Sequence, residues 1–120
     1  MRIHILKSKI HRAAVTGASL DYEGSLTIAE DLIELVGLHV HERILCSNLA
    51  NGNRWETYVI AGPRGSGAIE MNGAVARLGK IGDRLTLMAF SEIESHQAPL
   101  WRPRVIVLGE NNCVVNERGL

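Results

Sequence analysis

Nowhere along this chain does an apolar stretch run far before glycine or a turn residue cuts it. Glycines stand at 62, 65, 67, 73, 79 and 82, and the apolar runs are only a few residues long. That spacing suits many short strands and leaves room for few helices. Ile3 to Val15 carries the alternations Ile3/Ile5 and Ala13/Val15, which predict strand. Arg43 to Leu49 and Arg54 to Ala61 flank Asn51-Gly52-Asn53, a good hairpin turn signal. Arg84 to Phe90 and Val105 to Leu108 are further short apolar runs. One helix is predicted over residues 29–36. Thr27-Ile28-Ala29-Glu30 has capping-box spacing, Leu32, Leu35 and Val36 share a helical face, and Gly37 supplies a stop. The pattern predicts a mainly β chain with one or two short helices, folded as a small closed barrel. Closure removes the exposed strand edges that a β domain of this size must otherwise protect.

At 120 residues the chain fits one domain, and 46% hydrophobic residues give it a real core. Aromatics are only 4%, so Val, Ile, Leu and Ala must build that core. The 13 basic and 13 acidic residues cancel, which argues against nucleic acid as a partner, because phosphate contacts call for a basic excess. No apolar run approaches the roughly 20 residues that span a bilayer, so no membrane association is expected. Lys7 and Lys9 interrupt the N-terminus, which does not read as a signal peptide. Cys46 and Cys113 lie far apart and form no CxxC pair, so two free thiols and a cytoplasmic location are expected. His39 and His41 are two apart, which would put them on one strand face as candidate metal ligands. No Asp, Glu or Cys cluster with ligand spacing joins them, so no metal is expected. His4 and His96 give no signal.

The informative segment is Tyr22-Glu23-Gly24-Ser25. Alone, a Gly-Ser pair reads as a turn, since glycine tolerates positive φ and serine bonds its own backbone. The company it keeps changes that reading. Lys9-Ile10-His11-Arg12 precedes it, and Arg54-Trp55-Glu56-Thr57-Tyr58 follows the hairpin turn. Arg64-Gly65-Ser66, Asn72-Gly73-Ala74, Gly82-Asp83 and Trp101-Arg102-Pro103 come after. In this order and spacing the set resembles the aspartate 1-decarboxylase family, from about Lys9 to Pro103. Each piece alone is common, and the combination carries the specificity. The chain departs from the family pattern at Ser47, where an aromatic is frequent, and at Leu26. After Pro103 the match is loose.

The resemblance implies a six-stranded double-psi β-barrel assembled as a homotetramer. It also implies that the chain cuts its own Gly24-Ser25 bond, leaving residues 1–24 (the β chain) and 25–120 (the α chain). The Ser25 hydroxyl would attack the Gly24 carbonyl to give an ester, and elimination and hydrolysis would then leave a covalent pyruvoyl group. His11, Tyr22 and Thr57 are the implied helpers of this processing. Some members of the family need a helper protein to mature.

With the pyruvoyl group formed, the resemblance implies that L-aspartate joins it as a Schiff base and loses its α-carboxylate as carbon dioxide. Hydrolysis then yields β-alanine for pantothenate synthesis, with the conjugated iminium as electron sink. Arg54 is the implied carboxylate clamp, whose planar fork suits bidentate pairing. Without the family pattern it reads as a solvated arginine after a turn. Lys9 is the implied second cation, otherwise a strand-edge lysine. Tyr58 is the implied proton donor, because a phenol keeps its proton at neutral pH and can give it to a basic carbanion. Otherwise it is a strand tyrosine. Thr57 and the loop Asn72, Gly73, Ala74 and Val75 are implied to contact substrate. Two rival readings stand beside this one: a pyruvoyl decarboxylase for another amino acid, and a non-catalytic barrel that never cuts itself.

Overall fold

A computed structural model describes all residues, Met1–Leu120. Nine strands dominate it: β1 (Arg2–Ala14), β2 (Gly17–Ser19), β3 (Ser25–Ala29), β4 (Arg43–Asn48), β5 (Arg54–Gly62), β6 (Ile69–Asn72), β7 (Arg84–Glu94), β8 (Arg104–Leu108) and β9 (Val114–Arg118). One α-helix, α1 (Glu30–Val36), and three short 3-10 helices over 73–78, 95–100 and 110–112 complete it. The expectation of a mainly β chain with few short helices holds.

The strands form one ladder in the order β2-β6-β3-β5-β4-β7-β1-β8-β9. Only Val15 and Thr16 separate β1 from β2, and these two residues step from one flank to the other. Val15 N–H donates to Asp83 O at 2.9 Å, just before β7, while Thr16 N–H donates to Ile69 O at 2.8 Å on β6. The extended chain of β1 and β2 thus joins both ends of the series β6-β3-β5-β4-β7. Counted as one strand, it makes a closed ring of six, with β8 paired to the other edge of β1 and β9 beyond it. Closure leaves few free edges, as the turn-rich sequence required.

Alternation along the strands fills the ring. Ile10, Leu26, Ile28, Ile44, Leu85 and Leu87 are at most 1% exposed, and Trp55, at 8%, is the one aromatic of the core. The hairpin turn is where the sequence put it. Gly52 takes φ +75, Gly52 N–H donates to Asn48 O at 2.8 Å, and Asn51 Oδ1 accepts Asn53 N–H at 2.9 Å. The helix also ends where expected. Gly37 is left-handed at φ +70, and Leu38 and Gly37 donate back to Ile33 O and Glu34 O, a Schellman stop.

The helix start is a correction. Ala29 occupies the N-cap with no side-chain cap bond, and Thr27 lies inside β3, so the capping box does not form. Burial decides this, because all five residues of β3 are interior and pairing with β5 and β6 outweighs one exposed cap bond. A second correction concerns His39 and His41. They lie within one turn between α1 and β4, closed by Glu42 N–H on His39 O, rather than on a strand, and His41 takes φ +75.

Asn112 closes the crossing point. It is 4% exposed, donates to Ala14 O at 2.9 Å and Gly67 O at 2.8 Å, and accepts Ala14 N–H at 2.8 Å. Asn112→Ala strands these main-chain groups without their partners. It is expected to cost about 2–3 kcal/mol of stability, read as a lower denaturant midpoint with an unchanged slope.

Candidate active site

Ser25 opens β3 and Asn72 closes β6, and the two face each other across an antiparallel register. Both are buried, at 1% and 3% exposure. Buried polar groups need partners, and here they find each other. Asn72 Nδ2 donates to Ser25 Oγ at 3.0 Å and to Thr27 Oγ1 at 2.9 Å. Thr27 is the member of this group that sequence reasoning missed. Its spacing from Glu30 pointed to a cap, while its spacing of two from Ser25 on a strand was the signal for a shared face.

Gly73 follows Asn72 at φ +76 and presses on the segment before Ser25. A Cβ there would lie 2.9 Å from Gly24 N and Cα and 3.0 Å from Tyr22 O. Main-chain atoms cannot swing aside, so glycine is required at 73 on two counts. At Gly24 itself a Cβ would meet nothing beyond its chain neighbours within 4 Å. Gly73→Ala is expected to push the 22–24 segment away from β6, costing about 2 kcal/mol of stability. It should also slow any cleavage at Gly24-Ser25 by about tenfold, the equivalent of 1.4 kcal/mol in a barrier. A time course on denaturing gels checks it. Ala74 is exposed and Val75 half-buried on the 3-10 turn that follows.

The remaining expected residues sit on a different part of the barrel. His11 of β1, Thr86 of β7, Ser47 of β4 and Arg54 of β5 are successive register partners, so they form one row on the outer face of the wall. Lys9, Met88, Leu45 and Glu56 form the next row. At roughly 4.8 Å per strand, three spacings put His11 about 14 Å from Arg54 along this wall. Arg54 is exposed, makes no ion pair or hydrogen bond in the chain, and lines an open groove with Ser47, Asn48 and Thr86. His11 Nδ1 lies 3.2 Å from Thr86 Oγ1. Burial, then the charges of Lys9, Arg12 and Arg118, hold its imidazole below the usual histidine range.

Tyr58 links the two regions. β3 and β5 run parallel with Leu26 beside Val59, and one step back along that register sets Ser25 level with Tyr58. Tyr58 is 36% exposed and shares its face of β5 with Arg54, four residues or about 13 Å away. Thr57 is half-buried on the opposite face, beside Ile44. One chain therefore gathers Gly24, Ser25, Tyr58, Asn72 and Gly73, and leaves Lys9, His11 and Arg54 further along the wall. None of the surface cavities is lined by Ser25. No group of three or more His, Cys, Asp or Glu side chains is placed to hold a metal. Cys46 is buried, which pushes its thiol up to about 12, and Cys113 is exposed. No helix is long and apolar enough to cross a membrane.

Fold and site define a small β-barrel whose buried serine, just after a glycine, faces an amide on the neighbouring strand. The family model for aspartate decarboxylase matches residues 1–115. Similar proteins include the aspartate 1-decarboxylase of Chloroherpeton thalassium, 48% identical over 112 residues that cover 93% of this chain and 82% of that protein. The aspartate 1-decarboxylase of Carboxydothermus hydrogenoformans is 46% identical over 115 residues, covering 96% and 91%. A computationally designed protein of known structure is 17% identical with a TM-score of 0.44, covering 72% of this chain and 98% of its own. The chain belongs to the aspartate decarboxylase family.

Proposed function

We propose that this chain cuts itself between Gly24 and Ser25 and then decarboxylates L-aspartate to β-alanine and carbon dioxide. Residues 1–24 and 25–120 would remain together as one domain, with a covalent pyruvoyl group in place of Ser25. The observation that carries the reading is Ser25 itself: a hydroxyl 1% exposed, next to its own target carbonyl, with an amide N–H fixed on it at 3.0 Å. Burial excludes water that would otherwise compete for the carbonyl, and the fixed dipole favours charge on the oxygen.

The residues present fit a pyruvoyl group. Asn72 already aims a donor at an oxygen of residue 25, and Gly73 leaves main chain rather than side chain beside it. Once formed, that group supplies a ketone conjugated to an amide, which withdraws the electron pair left when carbon dioxide departs. Tyr58, level with residue 25, would give a proton to the α-carbon. Arg54 would pair with a substrate carboxylate through its two-pronged guanidinium, with Lys9 as second cation, and His11 would assist processing. Ala74 and Val75 would line the edge of the substrate path, Thr57 would act from the inner face of β5 in processing and substrate contact, and Tyr22 would help hold the segment that is cut. Cleavage would free the 22–24 end that packs on Gly73, opening a route to a residue no cavity reaches in the intact chain.

Four-carbon aspartate is too short to bridge the roughly 13 Å along β5 from Arg54 to the level of Ser25 in one copy. A homotetramer, in which one copy's cations face another copy's residue 25, answers that separation. The neutral net charge supports a small-molecule substrate over nucleic acid, and we place the enzyme in the cytoplasm, supplying β-alanine to pantothenate synthesis.

A denaturing mass spectrum of the purified protein tests the reading. Two chains are expected, with residues 25–120 lighter by one ammonia than a serine-terminated chain. Turnover of aspartate against glutamate, histidine and arginine then separates this enzyme from pyruvoyl decarboxylases of other amino acids. A chain that stays single after heating, and after coexpression with a maturation helper, sinks the assignment of Ser25 and leaves a non-catalytic barrel.

A further inference from the structure

Asn72 has one side-chain nitrogen with two hydrogens, and two hydroxyls take them. Ser25 is one. The other is Thr27, 7% exposed and two residues along the same face of β3. An asparagine amide held by a single hydroxyl can swing about its side-chain bonds. The second hydroxyl gives the Asn72 amide a second anchor and fixes where its N–H points.

We propose that Thr27 is a positioning residue for self-cleavage, anchoring the Asn72 amide so that its N–H stays on Ser25 Oγ. The inference rests on Ser25 being the cleavage nucleophile. In that step Ser25 Oγ bonds to the Gly24 carbonyl carbon and the Gly24-Ser25 C–N bond breaks. The proton from the hydroxyl ends on the freed amine of Ser25, so atoms and charge balance. Negative charge builds on Oγ as its proton leaves. A donated N–H stabilises that charge, whereas an amide oxygen accepting the hydroxyl would hold the proton in place. Thr27 acts only through Asn72 and touches no reacting atom.

The Thr27 side chain is seated for this task. Its Cγ2 would lie 2.9 Å from a Cβ on Gly62, so the methyl fills a close-packed position and the hydroxyl is directed toward Asn72. Valine keeps that shape and removes only the hydrogen-bonding group. Thr27→Val, Thr27→Ala and Thr27→Ser separate packing from hydrogen bonding. The rate of appearance of the 1–24 and 25–120 chains is followed by denaturing mass spectrometry, with melting curves alongside. Val and Ala variants are expected to cleave about tenfold slower than the parent, the size of one net hydrogen bond in a barrier. The Ser variant should stay within about threefold of the parent. A folded Val or Ala variant cleaving at the parental rate overturns the proposal. So does a Ser variant as slow as Ala, because packing would then be the cause. A parent chain that never cleaves is a separate outcome, which removes the nucleophile and this inference together.

Discussion

A Ser25→Ala chain is expected to run as one uncleaved species with no measurable aspartate turnover, while keeping its fold. The loss is complete rather than partial because residue 25 alone can attack the carbonyl bonded to its own nitrogen, and alanine has no atom to do so. The fold survives because the change is small. Asn72 loses one acceptor at 3.0 Å but retains Thr27 at 2.9 Å, so one N–H goes unpaired. That costs about 1–3 kcal/mol, within the 5–15 kcal/mol margin of an ordinary domain. Mass spectrometry reads the first half of the expectation and a melting curve the second. A cleaved Ser25→Ala chain would show that scission is proteolysis at an exposed loop, and the proposed chemistry would fall with it. Tyr22, 54% exposed, is the kind of position where a protease cuts, so the control is informative.

How much of this was legible beforehand depends on the range of each interaction. The β4–β5 hairpin, the strand character of residues 3–15 and the Gly37 stop are set by neighbours within a few residues, and they stand where the sequence reading put them. Nothing local marks β2 or β6, at three and four residues, because their pairing with each other and with β3 holds them extended. The spacing of Thr27 from Glu30 is a local cap signal, and long-range pairing of β3 overrides it.

The same division applies to the motifs. Trp101 donates its indole N–H to Leu6 O at 2.7 Å, and Asp83 accepts Asn48 Nδ2 at 2.9 Å. Arg64 grips Glu34 with both prongs at 2.7 and 2.9 Å. These three motif residues contributed to the resemblance, yet their contacts build the barrel and lie apart from Ser25. The Ser25–Asn72 pair spans 47 residues of sequence, and the His11–Arg54 row crosses four strands. Residue types at those positions were visible in the sequence, but only the register brings them face to face.

Arg54→Ala should separate catalysis from maturation. Arg54 is exposed and unpaired within the chain, so its removal changes stability by no more than about 0.5 kcal/mol. Cleavage is expected to continue within about twofold of the parental rate, because Arg54 lies about 13 Å along β5 from the level of Ser25. Aspartate turnover is a different matter. Two charge-assisted bonds to a carboxylate are worth about 1.5–3 kcal/mol each, so kcat/KM should fall by about 10² to 10⁴. Arg54→Lys keeps the charge but loses the planar fork, and should recover part of that loss. Chain masses and steady-state rates on one preparation of each variant provide both readings. Near-normal turnover in the alanine variant would remove Arg54 from substrate binding. Arrested cleavage in a folded alanine variant would instead mean that Arg54 acts on the Gly24-Ser25 bond, most directly from a neighbouring copy, and that the cation wall serves maturation as well as catalysis.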